Sequence, residues 1–138
     1  MKSFTKVGRI VPLLNSRGQI VESRPTPPVC TEEGLPEPEP MTEERIAQIS
    51  KALGHPARVR IIEQFDQCIP HVAGEIVEEC DLAQSTVSEH LRVLREADVL
   101  FVRKDGPRSW YCVRRSVLHE YALAIREFSE KLSYLNVD

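Results

Sequence analysis

Gln84, Ser85, Thr86 and Ser88 place one amide and three hydroxyls within five residues, and Glu89, His90 and Arg92 follow at once. Short hydrogen-bonding side chains in the first turns of a helix can meet base edges in the major groove of duplex DNA, and an amide such as that of Gln84 can bond adenine through two atoms. The hydroxyls can also bond phosphate, which the unpaired N–H groups of a helix N-terminus favour. His90 and Arg92, further along, can reach the DNA backbone. A second group, Arg103, Lys104 and Arg108, surrounds Asp105-Gly106-Pro107 and offers cations to phosphate or the minor groove. Taken singly, each residue has a plainer use: Ser85 as a helix cap, Ser88-Glu89 as a solvated face, Arg92 and Arg95 as partners of Glu89, Glu96 or Asp98. Their order is what points to chemistry. A short helix, a turn, a polar helix and a basic hairpin make a winged helix-turn-helix.

The elements that must position these groups follow from periodicity. Thr42 before Glu43 and Glu44 reads as an N-cap followed by first-turn acids, so the folded domain starts near Met41. Ile46, Ile49 and Leu53 give the first helix one apolar face, and Gly54 stops it. Pro56 opens a second helix with Val59, Ile62 and Phe65 on its apolar face and Ile61 beside them. Pro70 bars that helix from passing Ile69. A third helix spans about 72–80, with Ile76 and Val77 inward, and Asp81-Leu82-Ala83 is the turn. The fourth spans about 84–97, with Val87, Leu91 and Leu94 towards the core. Two β-rich runs, 99–104 and 109–113, form the wing. The last helix, about 117–135, carries Leu118, Tyr121, Ala122, Ile125, Phe128, Leu132 and Leu135 as a stripe too rich for one small domain to bury. With the first helix, it predicts a two-fold dimer. The fold class expected is mainly α with a small β-hairpin wing.

The 138 residues divide into a tail, 1–40, and the winged helix-turn-helix and dimerisation domain, 41–138. The tail is basic over 1–24, where Gly8–Leu14 and Gln19–Val21 flank a turn at Asn15-Ser16-Arg17-Gly18. Residues 25–40 hold six prolines and read as a flexible, disordered linker. The net charge of −3 hides an uneven distribution. Residues 31–44 hold six acids and no base, whereas residues 83–115 hold seven bases against four acids. The reading head is therefore basic, as a nucleic-acid partner requires. No apolar run approaches the roughly 18 residues of a membrane span, and a cytoplasmic protein without a membrane partner is expected. No nucleophile–base pair, paired-carboxylate motif or Gly-rich phosphate loop marks an enzyme. A winged helix can instead serve as a protein-interaction module, but apolar or acidic residues would then be expected where Arg103, Lys104 and Arg108 stand.

Leu53-Gly54-His55-Pro56-Ala57-Arg58, Gly74-Glu75-Ile76-Val77 and the run from Gln84 to Ala97 together resemble the ArsR/SmtB family of bacterial repressors. The resemblance covers about residues 43–135 and is most specific in the fourth helix. It implies a homodimer joined through its first and last helices. It also implies binding to an inverted-repeat operator in double-stranded DNA, and release when an inducer binds. Carried over by position, the recognition residues are Gln84, Ser85, Thr86, Ser88 and Glu89. Some members have His where Glu89 stands. An acid repels phosphate, so Glu89 fits there only as an acceptor from a cytosine amine. Asp98 takes the place of the usual Gly after the helix, and Asp tolerates the left-handed conformation better than most residues.

The family's sensor designs do not transfer. The arsenic and cadmium type needs C-x-C where Val72 and Gly74 stand. The zinc type needs ligands where Val117, His119, Glu130 and Ser133 stand, and only two of these four can bind zinc. The sulfur-sensing type needs a thiol where Glu63 stands. Four scattered cysteines remain, and free thiols are expected of them in this compartment. Cys80 and Cys112 read as small buried apolar groups. Cys30, Cys68 and His71 could supply a thiolate site for a metal or metalloid ion. A thiol-based metal or redox sensor and a regulator without metal both stay open. His55, before Pro56, reads as a loop residue at a helix entrance.

Overall fold

In the computed structural model, residues 11–14, 17–24, 26–65 and 69–135 are described. The predicted strand positions 8–10, the turn residues Asn15 and Ser16, and Cys68 lie outside them. The described part of the tail holds an antiparallel pair, β1 (Val11–Leu14) and β2 (Ile20–Arg24), with Gly18 at a left-handed φ of 72° in the turn.

Helix α1 (Glu43–Ala52) begins where the Thr42 hydroxyl accepts from the Arg45 N–H at 3.2 Å, and Ile49 and Ala52 are buried on its inner face. Helix α2 (Pro56–Glu63) is capped by the His55 imidazole, whose Nδ1 accepts from the Ala57 N–H at 3.1 Å. Its buried row differs from the predicted one. Ala57 and Ile61 face the core, with Phe65 just beyond the helix, while Val59 is 42 % exposed. Three apolar residues at helical spacing fit two phases of a short helix equally well. Packing against the neighbouring helices selects the row that contains Ile61.

Helix α3 (Ala73–Cys80) starts with the Glu75 carboxylate accepting from the Val72 N–H at 3.3 Å. The turn to helix α4 (Gln84–Glu96) passes through Asp81 at φ 51°. Val87, Leu91 and Leu94, one row of α4, are each at most 1 % exposed. After α4 the chain turns at Asp98, φ 59°, the residue standing where Gly is usual. The wing follows as β4 (Leu100–Asp105) and β5 (Arg108–Val113), paired in continuous antiparallel register around Gly106-Pro107. A two-residue strand, β3 (His71–Val72), pairs with the other side of β5 and makes a sheet of order β3-β5-β4. A strand this short has no periodicity to predict it. Helix α5 (Arg115–Leu132) buries only Val117, and Leu123, Phe128 and Leu132 along it stay exposed. Among the described residues, no helix is long and apolar enough to cross a membrane.

The segment 29–36 differs from the expectation of an unattached linker. Cys30 is disulfide-bonded to Cys112 of β5, so these two cysteines are not free thiols. The Arg103 guanidinium donates to the carbonyls of Thr31 and Glu33, both at 2.7 Å. The Ser116 hydroxyl donates to Glu32 Oε1 at 2.8 Å. Arg114, only 4 % exposed, donates to the Pro36 carbonyl and the Asp98 carboxylate and lies 3.6 Å from Glu32. The segment forms neither helix nor strand, so its carbonyls stay available as acceptors, and arginines on the wing and at the start of α5 use them. We call this segment the strap.

Candidate nucleic-acid interface

Helix α4 buries Val87, Leu91 and Leu94 and turns Gln84, Ser85, Thr86, Ser88 and Glu89 outward, all of them exposed. Ala83 precedes it, and among the described residues no side chain caps its N-terminus. The first-turn N–H groups therefore point to solvent with the hydroxyls, an arrangement suited to phosphate and to base edges.

Not every residue singled out from the sequence joins this face. His90 does not reach outward to a DNA backbone. It is 7 % exposed, accepts from the Arg58 Nε–H through Nδ1 at 3.2 Å, and lies 4.5 Å from the His55 ring between centroids. Position 90 falls three residues after Val87 and four before Leu94, on the border of the buried row, and that spacing is the signal by which the sequence could have shown it. Burial, then the neighbouring His55 and Arg58, hold the His90 imidazole below its ordinary pKa, so it is a neutral acceptor at pH 7. Arg58 also donates to the carbonyls of Lys51 at 3.4 Å and Ala52 at 3.2 Å. One guanidinium thus ties α4 to the end of α1.

Arg92 is exposed, but its own helix engages it. Nε donates to Glu89 at 2.9 Å, a second nitrogen donates to the other Glu89 oxygen, and the third reaches Glu96 at 2.5 Å. The Arg92 hydrogen bonds keep the Glu89 carboxyl below its usual pKa, and the two carboxylates raise that of Arg92. Arg92 therefore brings little net charge to DNA. On the wing, Lys104 Nζ donates to Ser109 Oγ at 2.8 Å and Arg108 is exposed at the tip. Arg103, beside Phe101 at 5.1 Å, is held by the strap carbonyls. Arg114, one of the seven bases of the basic stretch, is interior and holds the strap rather than facing outward.

The thiolate site imagined for Cys30, Cys68 and His71 is not assembled. Cys30 is bonded to Cys112. Both ring nitrogens of His71 are occupied, one by Glu75 Oε2 and one by the Gln64 carbonyl, each at 3.1 Å, and the ring stands edge-on to Phe65. Cys68 lies outside the described residues. Cys80 accepts from Gln64 Nε2 at 3.1 Å. Among the described residues, no group of three or more His, Cys, Asp or Glu is placed to hold a metal ion. Sequence reasoning missed Arg58 and Arg114 as structural residues, and it gave Asp98 its left-handed turn but not its bond to Arg114, because these partners lie beyond the reach of local spacing.

Residues 55–100, from the cap of α2 to the first residue of the wing, match the model of the bacterial regulatory proteins of the arsR family. Over 70 residues the chain is 31 % identical to the uncharacterized HTH-type transcriptional regulator MJ1325 of Methanocaldococcus jannaschii, spanning 51 % of this chain and 79 % of that one. It is 26 % identical over 80 residues to an arsenical resistance operon repressor of Staphylococcus aureus, covering 58 % and 76 % of the two chains. The fold is shared with the homodimeric winged helix-turn-helix DNA-binding domain of Mb0332 from Mycobacterium bovis, at a TM-score of 0.52 and 23 % identity over 66 % of this chain and 84 % of that one. On the family match over residues 55–100 and the 31 % identity over 79 % of a relative, the chain belongs to the arsR family of regulatory proteins.

Proposed function

We propose that this protein is a DNA-binding transcriptional repressor that acts as a homodimer on an inverted-repeat operator and leaves it when an inducer binds. The observation that carries this reading is the exposed row Gln84, Ser85, Thr86 and Ser88, standing on the buried row Val87, Leu91 and Leu94 at the uncapped start of α4. The exposed α5 side chains Leu123, Phe128 and Leu132 support the dimer, since a second copy would remove them from water. The domain that does this is residues 41–138. Lys104 and Arg108 serve as phosphate contacts, which favours duplex DNA over a protein partner. Glu89, already paired with Arg92, orients that side chain more than it reads a base. A repressor of this kind needs no catalysis, and its place is the cytoplasm, beside the DNA.

The test is selection of duplexes from a random-sequence pool by the full chain, followed by titration of the selected duplex. The expected result is an enriched inverted repeat bound by two chains. Failure to enrich any sequence at low ionic strength would overturn the reading.

A further inference from the structure

We propose that the Cys30–Cys112 disulfide is a redox latch that holds the strap over Arg103 and so weakens DNA binding in the oxidised protein. This rests on the reading of the wing as a DNA contact. Three observations carry it. The disulfide joins positions 82 residues apart, one in the strap and one in the strand beside Arg103. The Arg103 guanidinium, whose register partner Trp110 lies two residues before Cys112, gives both N–H groups of one nitrogen to the Thr31 and Glu33 carbonyls. The strap also carries Glu33, exposed, to the edge of the wing, where a carboxylate opposes phosphate.

A protein that acts on DNA works where small thiols keep cysteines reduced, so a disulfide there is the product of an oxidising challenge rather than a permanent staple. The chemistry balances in both directions. One thiolate displaces hydroxide from hydrogen peroxide and becomes a sulfenic acid. The second thiol attacks that sulfur, the S–S bond forms, and in total two waters leave for each peroxide consumed. In the reverse direction a dithiol attacks Cys30, which is partly exposed, while Cys112 is fully buried. Cys112 leaves as thiolate and takes a proton. The reductant then closes on itself, releasing Cys30 and keeping the oxidised bond. Once the bond is cut, the strap is held by non-covalent contacts, chiefly the hydrogen bonds and ion pairs of Arg103, Arg114 and Ser116. Arg103 can then exchange two carbonyl acceptors for a phosphate, a charged and stronger acceptor.

The experiment uses the full chain, oxidised with hydrogen peroxide or reduced with dithiothreitol, and the duplex selected above. Peptide mass mapping without reductant should find Cys30 linked to Cys112. Hydrogen exchange over residues 29–36 should quicken on reduction. The reduced protein should bind the duplex roughly tenfold more tightly, with a steeper dependence on salt. Cys30→Ser, which leaves buried Cys112 in place, should bind like the reduced protein under both conditions. A duplex bound equally by both states, or a redox response that survives in Cys30→Ser, overturns the latch and leaves the repressor reading standing. Binding in neither state overturns the repressor reading and the latch with it.

Discussion

Helix α4 and the strap are both polar, solvent-facing segments, yet opposite kinds of force hold them in place. The helix is seated by one row of its own residues, Val87, Leu91 and Leu94, buried at nearly zero exposure in the common core. The strap buries no such row. It is held by a covalent bond and by arginines, Arg103 and Arg114, whose bonds to it span 70, 72 and 78 residues of sequence. The contrast separates an exposed face fixed by the core from a segment fixed from outside it. Removing helix contacts should damage the whole domain, whereas removing strap contacts should leave the domain folded.

The largest effect that would sharpen this contrast is Leu91→Ala. A fully buried leucine cut to alanine costs about 3 kcal/mol, and chemical denaturation should show it equally in oxidised and reduced protein. Cys30→Ser comes next. A cross-link over 82 residues removes roughly 4 kcal/mol of unfolded-chain freedom by the loop-entropy relation, and measured gains are often smaller. The variant should lose about 2 kcal/mol of stability without reductant and nothing with it. A loss that persists in dithiothreitol would mean that the strap is part of the core after all. Ser88→Ala should leave the denaturation midpoint unchanged and weaken the selected duplex by about 1 kcal/mol, roughly fivefold. An equal loss on random duplex would assign Ser88 to phosphate.

The smallest effect concerns pH. Neutral His90 accepts from Arg58, while a protonated His90 would be a desolvated cation beside a guanidinium. Its folded pKa lies below the ordinary 6.5, so its contribution is complete above that value and is lost as pH falls through the lower folded value. The denaturation midpoint should fall between pH 7.5 and 5, and the His90 share of that fall should vanish in His90→Gln. An unchanged slope in the variant would remove His90 from the support of α4.

Much of the frame was legible in the residues themselves. The Thr42 cap, Pro56 at the start of α2, the Val87–Leu91–Leu94 row and the turn at Gly106 each rest on steps of four residues or fewer, and the structure places them as the spacing predicts. The sequence failed in two ways. Residues that fit two local roles were settled by packing, as when Ile61 displaced Val59 from the inner face of α2 and His90 turned inward. Residues whose partners are distant had no local sign at all. Nothing near Cys30 announces Cys112, and nothing near Arg114 announces Asp98 or Pro36.

What the amino-acid order alone determined is the order of the helices and the wing, the kinship to a family of regulators and the polar character of α4, because hydrophobic periodicity and capping are short-range effects. Tertiary structure alone decided which of the basic and thiol side chains remain available. Burial neutralised His90, Glu89 and Glu96 engaged Arg92, the strap took Arg103 and Arg114, and Cys30 met Cys112. A side chain's chemistry belongs to its type, but its freedom depends on which groups the folded chain brings within hydrogen-bonding distance, and those groups need not be neighbours in sequence.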